Sequence, residues 1–184
     1  MKKYLLFSLH IFFISGLYAV KAQELVPEPK RNTIFVELLG NGGIYSLNYD
    51  RILISKEKWK LAGRAGVSYF NFFDDFNTQF YAIPLEVSHL LGKGNHFLET
   101  GLGFTPLYKT SEGIGEININ QETLFLISTA RLGYRYQRKD GGFFFKAGWT
   151  PQFNKAYRFG NSPFPKNYSY FEPIMGGIGA GYTF

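Results

Sequence analysis

The chain contains no cysteine, so disulfides and thiolate metal sites are excluded and a domain of this size must hold together without staples. It also lacks any run of about 20 apolar residues, the length a membrane-spanning helix requires. An excess of one charge is nearly missing too. The formal charge is +6, and Lys2, Lys3 and Lys21 fall in a segment expected to be removed, which leaves 6 − 3 = +3. That balance gives no reason to expect nucleic acid as a partner. Histidine is scarce, with only His89 and His96 beyond that segment, and no stretch there shows a helical 3.6-residue period of useful length.

The first 22 residues have the layout of a secretory signal peptide. Met1-Lys2-Lys3 is basic, residues 4–18 are mostly apolar, and Val20-Lys21-Ala22 offers small residues for cleavage after Ala22. A single N-terminal membrane anchor is the alternative, but the apolar run is too short for one. No cysteine follows the cleavage point, which excludes a lipid-modified N-terminus. Residues 23–32, including Val26-Pro27-Glu28-Pro29, form a polar, proline-containing lead, expected to be an irregular periplasmic tail.

What is abundant is aromatic side chains and glycine: 20 Phe, 13 Tyr and 21 Gly. Such a composition suits β structure with closely approaching backbones and aromatic belts at a membrane interface. Eight stretches alternate with a period of two, at 33–39, 44–53, 58–70, 78–91, 96–107, 122–137, 142–153 and 172–184. Turn signals separate them, among them Gly40-Asn41-Gly42-Gly43, Gly92-Lys93-Gly94-Asn95 and Lys139-Asp140-Gly141. The predicted fold is all-β: an eight-stranded antiparallel up-and-down transmembrane β-barrel over residues 33–184. In the last strand Ile174, Ile178, Ala180, Tyr182 and Phe184 share one face, and Met175, Gly177, Gly179, Gly181 and Thr183 share the other. A soluble sandwich would carry many Lys, Glu and Ser opposite its apolar face. Here that face carries Gly, Thr and isolated charges, which suits a narrow lumen and leaves the apolar face for lipid.

With the apolar face outward, parity points Glu37, Asp50, Arg64, Glu86, Glu99, Arg131, Arg135 and Lys146 inward. These are four acids and four bases. Isolated charges in a closed lumen are costly, and opposite charges that pair offset much of that cost. Glu99 and Arg135 fall near the same end of adjacent strands and are expected to meet. Balanced charge in so narrow a bore implies a filled interior with little conductance.

The chain ends Gly177-Ile178-Gly179-Ala180-Gly181-Tyr182-Thr183-Phe184. Gly179, Tyr182 and Phe184 match the C-terminal β-signal of bacterial outer-membrane proteins, although Gly177 stands where a polar residue is usual. In architecture the chain resembles the small eight-stranded outer-membrane barrels typified by the OmpA transmembrane domain and OmpX. The resemblance implies a bacterial outer-membrane location, contact with outer-membrane lipid and lipopolysaccharide, and insertion by the barrel-assembly machinery. It also implies that Phe184 faces the periplasm. The inner turns at 54–57, 92–95 and 138–141 are then short. The outer connections at 40–43, 71–77, 108–121 and 154–171 include two long ones, the asymmetry such barrels show.

That class includes anchors, adhesins, small porins and lipid-modifying enzymes, so fold does not settle function. Ser88, His89 and Glu86 have the composition of a catalytic triad, but parity sends Glu86 and Ser88 inward and His89 outward; no catalytic residue is assigned. Asp74-Asp75 reads as a solvated loop tip, and no metal or cofactor is expected. Lys155, Tyr157, Arg158, Lys166 and Tyr168 mix cations with aromatics in the fourth outer connection, as a contact surface or as a self-packed loop. The leading expectation is a non-enzymatic structural or binding barrel. A small passive channel is the alternative, and a lipid-modifying enzyme comes third.

Overall fold

The structure, a computed structural model, describes residues 28–72, 78–112, 120–159 and 166–184. The expected signal peptide at 1–22, part of the tail, and Asp74-Asp75 lie outside the described residues. Eleven strands form one antiparallel, up-and-down sheet, and no α-helix occurs among the described residues. They are β1 (Asn32–Leu39), β2 (Tyr45–Ser55), β3 (Trp59–Phe72), β4 (Thr78–Ala82), β5 (Leu85–Lys93), β6 (His96–Glu112), β7 (Asn120–Gln137), β8 (Gly142–Trp149), β9 (Gln152–Phe159), β10 (Asn167–Glu172) and β11 (Gly176–Thr183).

Proline explains why eleven segments stand where eight stretches were expected. Pro84, Pro151 and Pro173 each interrupt a run, because proline has no N–H to give to a ladder. β4 and β5 both pair with β3 and with β6, so they are two lengths of one path. β8 and β9 likewise share β7 as a neighbour. β10 and β11 follow one another along the β9 and β8 edges. Backbone bonds bridge the breaks, from Gly66 N–H to Pro84 O (2.8 Å), Ala130 N–H to Pro151 O (3.2 Å) and Thr150 N–H to Met175 O (2.8 Å). Counted as paths, the strands make a ring of eight. β11 closes it on β1, from Thr33 opposite Thr183 to Leu39 opposite Gly177.

The strands also run further than their alternation suggested. β6 continues to Glu112, β7 begins at Asn120, and β9 extends to Phe159 where a loop was expected. The ladders there are held by partners distant in sequence, a signal that period-two reading of one segment does not contain.

Burial follows the two faces. Ile34, Leu47, Val67, Val87, Leu102, Leu132, Phe143 and Ile178, on eight successive ladders, are exposed, Leu102 to 74%. Arg135 and Lys146 are 0% exposed. Small residues on the inner face admit this packing. A Cβ on Gly181 would sit 2.1 Å from Ile34 O and 2.6 Å from Phe35 Cα, at the β1–β11 seam.

Candidate functional site: the charged interior and the rim above it

Glu37, Asp50, Arg64, Glu86, Glu99, Arg131, Arg135 and Lys146 are all buried on the inner face. They are brought together into one connected network. Arg64 and Arg131 each bridge the same two acids. Arg64 Nη2 donates to Glu37 Oε2 at 2.6 Å and Arg131 Nη2 to Glu37 Oε1 at 2.8 Å. Arg131 Nε lies 3.0 Å from Glu86 Oε2, and Arg64 Nη1 lies 3.7 Å from that oxygen. Lys146 Nζ links Glu86 (3.4 Å) to Glu99 (3.0 Å). Arg135 Nη2 joins Glu99 at 3.3 Å and grips Asp50 with two bonds, of 2.6 and 3.2 Å.

These contacts cross the bore: Asp50 on β2 meets Arg135 on β7, and Glu86 on β5 meets Lys146 on β8. Pairing of this kind offsets the desolvation of each charge, and the second hydrogen bonds occupy the remaining lone pairs. Asn41 Nδ2 and Ser88 Oγ donate to Glu86, and Arg64 Nε donates to Asn48 Oδ1. Aromatic rings fill the next layer. Phe35 and Phe144 pack at 4.9 Å, with Arg64 and Lys146 over the first and Arg135 over the second. Below them Gln137 bonds Thr33, and Thr33 bonds Thr183, across the end that carries the termini.

The β1–β2 connection, expected as an outer turn, is turned inward instead. Gly40–Gly42 is a buried 3-10 turn. Leu39 (φ 59°), Gly40 (φ 71°) and Gly43 (φ 86°) carry the left-handed backbone that makes the reversal. Gln152 Nε2 holds Gly40 O at 2.9 Å from the far wall. A Cβ on Gly103 of β6 would strike Asn41 Nδ2, so the turn spans the bore and roofs the charged layer. Nothing in the local sequence distinguishes this turn from an exposed one. Asn48 and Gln137, by contrast, share parity with Asp50 and Arg135 and were legible from alternation.

The candidate loop residues do not form a loop surface. Lys155, Tyr157 and Arg158 belong to β9 and Tyr168 to β10; of the five only Lys166 lies outside a strand. Lys155 sits over Tyr157 at 5.3 Å on the outer face. Arg158 lies over Tyr168 at 4.6 Å on the inner face, and Tyr168 meets Phe125 edge-on.

Ser88 and His89 face opposite sides: Ser88 bonds Glu86 inside, while His89 packs on Trp59 at 5.6 Å. His96 bonds the Tyr134 hydroxyl at 2.7 Å. Among the described residues no group of three or more His, Asp or Glu is arranged to hold a metal ion. Gly179, Tyr182 and Phe184 lie at the end of the chain along β11; Gly179 packs inward on Phe35, and Tyr182 and Phe184 are exposed. No family model, curated protein or solved structure matches this chain.

Proposed function

We propose that the chain is a bacterial outer-membrane protein whose ring is an eight-stranded transmembrane β-barrel with a blocked bore. Its role is structural or ligand-binding rather than catalytic, as in the small barrels typified by the OmpA transmembrane domain and OmpX. The observation that carries this reading is the inverted polarity of the sheet. Large apolar side chains are exposed on all eight ladders, while four acids and four bases are buried inside. In water such a band would far exceed the apolar patches that soluble monomers expose. In a bilayer it meets hydrocarbon, and closure satisfies every strand edge at that depth.

The termini lie at one end, where Phe184 and Asn32 exchange backbone bonds of 2.8 and 3.1 Å. That end faces the periplasm in this reading. Residues 1–22 direct export, and Gly179, Tyr182 and Phe184 present the chain to the assembly machinery. A bore crossed by neutral, paired charges and roofed by Gly40–Gly42 supports a sealed barrel over the channel alternative.

The test is cell fractionation of the full chain. Purified outer membranes are expected to contain a mature form beginning near Gln23, with gel mobility that changes on heating. Recovery as a soluble periplasmic protein refutes the reading.

A further inference from the structure

Above the roof formed by Gly40–Gly42 the wall is incomplete. β1 ends at Leu39, and its last pair is Leu39 with Gly177. The β2–β3 ladder stops at Leu47 opposite Val67. Beyond that level Tyr69 to Phe72 of β3 pair only with β4, and β10 pairs only with β9. Two strand positions are therefore missing on one side. At roughly 4.8 Å per strand this leaves a side opening about 14 Å wide between β3 and β10.

The six strands that continue form a half-funnel, and register layers its inner face. One row runs Phe70, Phe80, Lys109, Thr123, Arg158 across five strands. The row beneath runs Ala82, Leu107, Phe125, Ala156, Tyr168. The upper row holds two cations, each set against a ring: Lys109 Nζ lies 5.7 Å from the centre of Phe80 and Arg158 Cζ 4.6 Å from that of Tyr168. The lower row is apolar, and Phe80 and Phe125 pack on a cluster of Ala82, Leu107 and Ile127. Cations over an apolar layer complement a molecule with an anionic head and a hydrocarbon tail.

We propose that this half-funnel binds a single-chain anionic amphiphile of the alkyl phosphate or fatty acid type, admitted from the lipid layer through the opening between β3 and β10. Lys109 and Arg158 hold the head, and Phe80, Leu107, Phe125 and Ala156 line the tail. The inference rests on the membrane reading above, because the opening faces lipid only if the outer face does.

The experiment uses the mature protein refolded into nanodiscs of zwitterionic phosphatidylcholine, with radiolabelled dodecyl phosphate as probe and empty nanodiscs as background. Saturable retention is expected, weakened roughly tenfold or more by Lys109→Gln with Arg158→Gln, since two charged contacts are lost. Lys155→Gln, on the outer face of the same strand, is expected to leave retention unchanged. Ala156→Trp, which fills the lower row, is expected to abolish it. Heat-modifiable mobility is measured for every variant. Folded barrels that retain no more probe than empty nanodiscs overturn this inference and leave the membrane reading intact. Retention unaffected by the charge variants, or equal binding of dodecanol, also overturns it. Disulfide-linked dimers of Tyr170→Cys in quantitative yield would put a second copy in the opening and overturn it too.

Discussion

Glu99→Ala removes one acid from a neutral interior. In the intact protein Glu99 Oε1 lies 3.0 Å from Lys146 Nζ and 3.3 Å from Arg135 Nη2, with its side chain almost wholly buried. After the change Arg135 keeps its two bonds to Asp50. Lys146 keeps only the 3.4 Å contact with Glu86, an acid already shared with Arg64 and Arg131. The interior becomes a cluster of four bases and three acids. Leaving a buried charge without its partner costs about 3–5 kcal/mol. Against the roughly 5–15 kcal/mol that stabilise a typical domain, such a loss moves the urea midpoint far down. The assay is urea unfolding of protein refolded in lipid vesicles, read by heat-modifiable mobility and by fluorescence of Trp59 and Trp149. Lys155→Ala, on the outer face, is expected to change stability by no more than about 0.5 kcal/mol. Glu99→Ala combined with Lys146→Met restores neutrality and is expected to recover much of the loss, a coupling that a double-mutant cycle measures. If Glu99→Ala costs under about 1 kcal/mol, or the second change deepens the loss, the interior is not held by mutual pairing and the reasoning fails.

Deleting Phe184, or replacing Tyr182 and Phe184 by Ala, is expected to lower the amount of folded barrel in outer membranes, read by immunoblot against an unchanged precursor level. Gly181→Ala forces a Cβ to within 2.1 Å of Ile34 O at the closing seam; overpacking there is expected to cost about 1–3 kcal/mol in the same urea assay. In planar bilayers the wild type is expected to pass little current; large, stable single-channel steps would favour the channel alternative instead. Asn41→Ala with Gln152→Ala frees the inward turn from Glu86 and from the far wall. It is expected to raise proteolysis between Leu39 and Tyr45 while leaving the heat-modifiable band in place.

The sequence by itself determined the strand class, the antiparallel order and the division into two faces. Those depend on a period of two and on short turns, both local properties of a chain. Parity alone set Glu86 and Ser88 inside and His89 outside, and grouped Arg131, Arg135 and Gln137 on one side of β7. The tertiary structure decided everything that requires two distant segments. It chose which acid meets which base: Arg135 reaches Asp50 across the ring as well as Glu99 beside it, because a narrow closed sheet brings opposite walls within one side-chain length. It carried β6, β7 and β9 beyond their alternating stretches, since ladder partners and not local pattern hold strands there. It moved Lys155, Tyr157, Arg158 and Tyr168 from an expected loop onto β9 and β10, facing opposite ways. It folded Gly40–Gly42 inward, where the fixed points are Gln152, Gly103 and Glu86, more than 40 residues away along the chain. Local sequence sets what a backbone is able to do, but only contacts made after closure select which way a permissive glycine turn goes.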